Sequence, residues 1–317
     1  MVYLGFDIGG TKCAVSLGEQ MADGTMRIAD KRKIPTRGTP QEIMDALSDG
    51  ADEMLARRSM THGDVCAAGV SCGGPLSSAR GLILSPPNLP GWDAVPVCAL
   101  LGARFGCPVR LENDANACAA AEWRFGAGRG VRNMVFLTFG TGLGAGLILD
   151  GRLYRGTTDA AGEIGHVRLT EDGPLGYGKA GSCEGWCSGG GIARLARRMA
   201  SEDGRSARLL SAVGGDAEKI DAALVARLAE SEGDPFCLAV YEASGEKLGR
   251  TLAILSDLFD TERFVIGSVF ARSEHLLRPA MEKAYRREAL RMAEVVPAAL
   301  GESLGDMAAL ACAVHDY

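Results

Sequence analysis

Two glycine-rich turns and one acidic–amide cluster are the places where this chain could do chemistry. The first turn is Asp7-Ile8-Gly9-Gly10-Thr11-Lys12, and the second is Gly140-Thr141-Gly142-Leu143-Gly144. Holding a polyphosphate requires backbone N–H groups that converge on anionic oxygens, and glycine permits that close approach. Thr11 and Thr141 add hydroxyl donors, and Lys12 adds a positive charge. Either turn alone reads as an ordinary hairpin turn, but two in matching positions favour phosphate binding. The cluster Glu112-Asn113-Asp114-Ala115-Asn116 ends an apolar run just before a small-residue helix. That setting puts its side chains at the C-terminal edge of a sheet, where α/β sites lie. Asp114 can accept the proton of an attacking hydroxyl, and Asn113 can orient the molecule that carries it. The same residues also suit a helix N-cap, and one cluster can do both.

Two rival phosphate motifs fail on their surroundings. Gly140-Thr141-Gly142-Leu143-Gly144-Ala145 formally meets the dinucleotide fingerprint, which needs a helix to follow. Here Gly146-Leu147-Ile148-Leu149 reads as a strand. No stretch has the spacing of a Walker A loop. A nicotinamide oxidoreductase and a P-loop NTPase are both disfavoured.

The elements that must position these groups follow from local pattern. Val2–Phe6 and Cys13–Leu17 are apolar runs on either side of the first turn, which predicts a β-hairpin. Met134–Phe139 and Ala145–Leu149 flank the second turn in the same way, and this repeat predicts a duplicated α/β fold. Ile43, Leu47, Ala51 and Leu55 carry helical spacing across Pro40–Arg57. Val65–Ser71 reads as a buried strand running into Cys72-Gly73-Gly74-Pro75. Pro86–Trp92 reads as a rigid irregular loop. Val109–Glu112 reads as a brief strand and Ala115–Phe125 as a helix. Gly156–Gly191 is glycine-punctuated and expected to hold little regular structure, a length of loop that is usually functional. After Gly191 helices are expected, interrupted by one strand, Arg263–Ile266, that ends in Gly267-Ser268.

Composition bounds the class. At 317 residues, two domains around one cleft is the natural expectation. A net charge of −6 and termini without basic tails argue against nucleic acid or an anionic membrane as partner. The ten cysteines follow no framework, and contexts such as Val-Cys66-Ala and Ala-Cys118-Ala suit buried free thiols. No signal peptide and no membrane-spanning run is read, so a reducing cytoplasm is expected.

The ordered set Asp7–Lys12, Glu112–Asn116, Gly140–Gly144 and Gly162-Glu163-Ile164-Gly165-His166 resembles the signature of the ROK family (repressors, open reading frames and kinases), across nearly the whole chain. That resemblance implies an actin-like, ribonuclease-H-like pair of α/β domains closing on a sugar and Mg-ATP. A smaller domain of residues 1–114 with a C-terminal helix 301–317, and a larger one of 115–300, are expected. By the same resemblance Asp114 is the base, and Asn113, Glu163, His166 and Glu184 bind sugar hydroxyls, with Asn88 and the Gly73-Gly74 turn at the rim. Gly9, Gly10, Thr11, Lys12, Thr138, Gly140, Thr141, Gly142 and Gly144 would hold phosphates. Gly267 and Ser268 would lie beside the adenosine, although the family usually shows more glycine there. The implied activity is transfer of the ATP γ-phosphoryl to a hexose, glucose by default and at its 6-hydroxyl, with N-acetylmannosamine or fructose as alternatives. A homodimer is implied as well. A sugar-sensing repressor of the same family is the alternative class, but it carries a helix-turn-helix domain before the sugar fold, whereas here the phosphate turn begins within the first dozen residues.

One departure is plain. The family follows its histidine with three cysteines that bind a structural zinc. The corresponding positions here are Leu175, Tyr177 and Ser182, while Glu184 is retained. Leucine cannot ligate zinc, and a tetrahedral site needs four good donors. No structural zinc is therefore expected, with burial of Tyr177 and Trp186 ordering the loop in its place. An improvised site of His166, Cys183 and Cys187 is the alternative.

Overall fold

The computed structural model describes residues 1–202 and 206–314. The first hairpin forms as expected: β1 (Val2–Ile8) and β2 (Lys12–Gln20) pair antiparallel, closing at Ile8 opposite Cys13. A third strand, β3 (Met26–Pro35), extends the sheet antiparallel to β2. It lies outside the sequence expectations because it is a half-exposed edge strand carrying Lys31, Arg32 and Lys33, with no apolar alternation. Next comes α1 (Pro40–Arg57). Thr39 and Glu42 form a reciprocal capping box, Pro40 opens the first turn, and Ile43, Leu47, Ala51 and Leu55 are buried.

Strand β4 (Val65–Cys72) leads to the short pair β5 (Leu76–Ser77) and β6 (Leu82–Ile83). The proline-rich loop is irregular, as expected, and is pinned to the core by Leu89 and Trp92. Then follow α2 (Val97–Phe105), β7 (Val109–Asn113) and α3 (Asp114–Phe125). Beyond these come β8 (Met134–Leu137), β9 (Ala145–Leu149) and β10 (Arg152–Tyr154), the last two joined by a tight turn at Asp150-Gly151.

The stretch expected to lack regular structure holds a small hairpin, β11 (Leu175–Gly176) and β12 (Lys179–Ala180), and the one-turn helix α4 (Cys183–Trp186). These elements are too short to leave a periodic signal. Five helices follow with one strand among them: α5 (Gly189–Glu202), α6 (Ala207–Ala212), α7 (Ala222–Glu232), α8 (Pro235–Phe259), β13 (Arg263–Ile266) and α9 (Ser268–Glu288). A second strand, β14 (Glu294–Pro297), corrects the expectation of only one in this part. Its four residues end at a proline, which suits a sheet margin. Helix α10 (Leu304–Ala313) closes the described chain, and residues 315–317 of the expected C-terminal helix lie outside it.

The chain divides into two compact units. One comprises Met1–Gly130, Gly146–Ala161 and the chain from Ala299 onward; the other comprises Val131–Ala145 and Gly162–Ala298. In the first unit β1, β4 and β7 run parallel within the order β3-β2-β1-β4-β7. One face packs Leu4, Phe6 and Ile8 against α1 and α2. On the other face Tyr3 and Ala67 meet Leu310 of α10, and α10 in turn packs on α3. In the second unit β13 lies between β8 and β14, all three parallel. A parallel triplet and an antiparallel partner pair (β2–β3 and β9–β10) thus occur in each of the two five-stranded sheets, the duplicated α/β arrangement that the repeated turns implied.

All ten cysteines are free. Cys66 is exposed rather than buried. The register slips between Val2 opposite Val65 and Tyr3 opposite Ala67, so Cys66 is the extra residue of a bulge and turns outward. Among the described residues no helix is long and apolar enough to cross a membrane.

Candidate active site

Strand register assembles the site of the first unit. Ile8, Cys72 and Asn113 end β1, β4 and β7 side by side in one row. The residues that follow, Gly9-Gly10, Gly73-Gly74 and Asp114, therefore emerge at one sheet edge. Asn88 joins them from the proline-rich loop, next to its buried anchor Leu89. Gly73 lies against Asp114 Oδ2 and the Asn88 amide, at 3.9 and 4.0 Å from where its Cβ would be. A Cβ on Gly74 would sit 3.5 Å from Asn113 Nδ2. Gly74, Asn88, Asn113 and Asp114 are thus one cluster.

Asn113 caps α3, its side chain accepting from Ala115 N–H at 3.0 Å, and Asp114 Oδ1 accepts from the same N–H at 2.8 Å. The cap reading of the cluster holds, and Asp114 presents a carboxylate beside the cap. Asp114 is exposed as a residue, yet enough protein surrounds its carboxyl that desolvation raises it above the ordinary value, against the pull of the Ala115 amide. A carboxyl poised upward in this way is a better proton acceptor.

The cluster rests on Glu112, to which residue order alone assigns no role. Its buried carboxylate accepts from Asn113 N–H, from Asn116 Nδ2 at 3.1 Å and from Arg155 Nε at 2.7 Å. Arg155 carried no sequence signal, being 43 residues away. Asp7 is a second unassigned carboxylate. Burial pushes its pKa to about 6, Asp306 and Asp114 push the same way, and Lys12 and Lys33 oppose them. Asp306 is buried and accepts from Ser16 Oγ at 2.8 Å and Lys31 Nζ at 2.9 Å.

At the first glycine turn, Thr36 at the end of β3 donates to Gly9 O at 2.6 Å, and its N–H donates to Thr11 O at 3.0 Å. Thr11 and Lys12 are exposed. Gly10 has a near neighbour that sequence could not supply. A Cβ there would stand 2.5 Å from Asn88 O, so this glycine makes room for the Asn88 backbone as well as for any ligand.

In the second unit Leu137, Ile266 and Pro297 form the equivalent row, and Thr138 and Gly267-Ser268 follow it. Thr138 closes the turn on itself: its N–H donates to Gly144 O at 3.0 Å, and its hydroxyl accepts from Gly144 N–H at 2.9 Å. The carbonyls of Phe139, Gly140 and Thr141 are taken by the N–H groups of Val269, Gly189 and Gly190. The N–H groups of Gly140, Thr141 and Gly142 donate to no acceptor among the described residues. Such a turn offers amides to an anion. Ser268 Oγ stands 3.6 Å from where a Gly140 Cβ would be, and both Phe139 and Ser268 hold positive φ, 37° and 51°.

Glu184, at the start of α4, reaches this turn, and Leu143 N–H donates to its Oε2 at 3.2 Å. Glu163 and His166 are half-exposed neighbours, with Glu163 Oε2 and His166 Nε2 4.0 Å apart. The His166 ring stacks on Tyr177 with centroids 3.8 Å apart. Tyr177 is 51% exposed, which corrects the expectation that its burial orders the loop. The loop is held instead by Ser182, whose hydroxyl donates to Gly176 O and accepts from Gly185 N–H, each at 3.1 Å. Trp186 is half-buried, and its indole N–H donates to Thr170 Oγ1 at 2.9 Å.

The family's zinc does not fit these residues. Leu175 is exposed and has no donor atom, and Ser182 Oγ is engaged in the loop. Cys183 Sγ is buried against Thr251 Oγ1, and Cys187 Sγ faces Ser244 O. Neither is gathered with His166: among the described residues no group of three His, Cys, Asp or Glu side chains is placed to hold a metal ion.

Comparison with known proteins identifies the family. The model of the family described as "ROK family" matches residues 3–315. A glucokinase of Streptomyces coelicolor is 33% identical over 309 residues, 95% of this chain and 94% of its own length. An N-acetylmannosamine kinase of Salmonella paratyphi A is 36% identical over 200 residues, 62% of this chain and 65% of its own. Among solved structures, a ROK family glucokinase from Streptomyces griseus in complex with glucose and AMPPNP superposes with a TM-score of 0.77, at 33% identity and 99% coverage of both chains.

Proposed function

The chain belongs to the ROK family, and from that membership we propose that it is a glucokinase, carrying the γ-phosphoryl of ATP to the 6-hydroxyl of glucose. The fold is the actin-like, ribonuclease-H-like α/β duplication, and the activity is that of an ATP-dependent hexose kinase. The choice of glucose is supported by the glucokinase relatives, which match nearly end to end.

The observation that carries the mechanism is the row Ile8–Cys72–Asn113, which brings Asp114 and the Gly9-Gly10 turn to one sheet edge. Asp114 takes the proton of the attacking hydroxyl as the oxygen bonds to the γ-phosphorus and ADP leaves. Phosphoryl transfer passes through a loose transition state, so positioning outweighs basicity. By family resemblance the residues proposed to bind sugar hydroxyls are Asn113, Asn88 and Gly74, together with Glu163, His166 and Glu184. The N–H groups of the 140–144 turn, with Thr141, and those of Gly9, Gly10 and Thr11, with Lys12, offset phosphate charge, while Gly267 and Ser268 lie toward the adenosine. Thr138 acts by closing its turn. Mg²⁺ arrives with ATP as part of the substrate, and the half-buried Asp7 carboxylate, crowded by two others, is the group suited to face it.

The zinc positions are filled by residues that do not suit the metal, and the protein works without it. The reading includes a homodimer, to be checked by light scattering. It also includes a reducing, cytoplasmic setting, which suits ten free thiols. N-acetylmannosamine is the second reading, favoured by the identity to the Salmonella kinase. The deciding experiment is an ATP-coupled activity panel over hexoses and N-acetylhexosamines. Glucose should give the highest kcat/KM; N-acetylmannosamine in first place would replace it, and no phosphoryl transfer to any sugar would overturn the kinase.

A further inference from the structure

The tip of the β11–β12 hairpin is built against the demands of its own turn. Gly176 pairs with Lys179, so Tyr177 and Gly178 form a two-residue loop, and their φ values are +52° and +68°. Positive φ at both central residues is the type I′ pattern, for which Asn-Gly is the preferred pair. A tyrosine there is strained, and strained backbone points to a role beyond folding.

The tip does three things at once. The Tyr177 ring lies on the His166 imidazole, with centroids 3.8 Å apart and planes 24° from parallel. Its N–H donates to Glu184 Oε1 at 3.3 Å. Beside it, Lys179 Nζ donates to His166 O at 2.8 Å. One half-exposed tyrosine, with its neighbour two residues on, thus grips both His166 and Glu184 in a loop whose residues do not suit a metal.

We infer that Tyr177 is a positioning residue for sugar recognition: its ring fixes the plane of the His166 imidazole, doing by stacking what a coordinated metal would do by a bond. The inference rests on His166 being a sugar ligand. Stacking constrains the ring in orientation while leaving its edge nitrogens open to a hydroxyl. Loss of the stack lets the imidazole rotate, and sugar binding then bears the entropy of fixing it again.

The test is Tyr177→Asn beside Tyr177→Phe and His166→Ala, assayed for kcat and for KM of sugar and of ATP, with a thermal melt of each. Asparagine suits the turn, so a role in folding alone predicts a melting temperature equal to or above the parent's and an unchanged sugar KM. Positioning predicts that Tyr177→Asn raises sugar KM roughly three- to tenfold, in the range of a lost aromatic contact. It predicts ATP KM and kcat close to the parent's, and near-parent values throughout for Tyr177→Phe. In the His166→Ala background, Tyr177→Asn should add nothing further. An unchanged sugar KM in Tyr177→Asn, while His166→Ala raises it, overturns the inference alone, as does full additivity of the two changes. An unchanged sugar KM in His166→Ala overturns the sugar-ligand reading itself, and this inference with it.

Discussion

Leu143 donates its backbone N–H to Glu184 Oε2 at 3.2 Å, tying the second glycine turn to a carboxylate at the start of α4. The proposed phosphate turn and a proposed sugar ligand thus share one hydrogen bond. A Cβ at Gly142 would stand 2.6 Å from that same oxygen. Gly142→Ala should therefore displace Glu184 and raise KM for sugar and ATP together. Steady-state kinetics with each substrate varied in turn would decide, and a rise in ATP KM alone would mean that the tie is not functional.

Gly140 gives the contrasting case. An added Cβ meets only Ser268 Oγ at 3.6 Å, an ordinary contact, so Gly140→Ala should fold normally and raise ATP KM while leaving sugar KM near the parent value. Gly10→Val would not separate the substrates in this way. Its side chain collides with the Asn88 backbone, and sugar affinity should fall along with ATP affinity.

Asp114→Asn tests the base. Asn113 still caps α3, and at neutral pH the variant removes a carboxylate whose charge is disfavoured by desolvation. Its melting temperature should match or exceed the parent's, and sugar should still bind by calorimetry. Turnover should drop by at least about 10²-fold, as for loss of a general base. Activity within a few-fold of the parent would remove Asp114 from that role.

Asp7 carries a pH signature. Its carboxyl ionises near 3.8 in the unfolded chain and at about 6 in the fold, so the folded state binds the extra proton between those values. Stability should fall as pH rises through that window and stay lowered above it. Asp7→Asn lacks this penalty. Urea melts at about pH 7 should show it more stable than the parent by roughly 1–3 kcal/mol, an advantage that vanishes near about pH 4. An equal difference at both pH values would mean that Asp7 is not electrostatically strained.

Zinc content is the simplest measurement. Purified protein should hold far less than one zinc per chain by elemental analysis, and activity should survive EDTA once Mg²⁺ is restored. Stoichiometric zinc that resists chelation would contradict the donor chemistry of Leu175, Tyr177 and Ser182.

Much of the molecule was legible in residue order. The β1–β2 hairpin, the buried face of α1, strand β13 and the two glycine turns all follow from residue types at short spacing, where periodicity and turn chemistry act directly. Asp114 could be singled out because an acidic–amide cluster between strand and helix has few positions to occupy. Edge strands β3 and β14 were not legible, since pairing on a sheet margin needs no apolar alternation.

What tertiary structure alone decided is which distant groups complete each local motif. Thr36 closes the Gly9 turn from 27 residues away, Arg155 steadies Glu112 from 43, and Glu184 meets Leu143 across 41. Sequence determined the motifs, because a glycine turn or a capped helix is a local preference. It could not determine their partners or the outward set of Tyr177. Those depend on strand register and loop packing, which bring together positions whose separation along the chain carries no periodic signal.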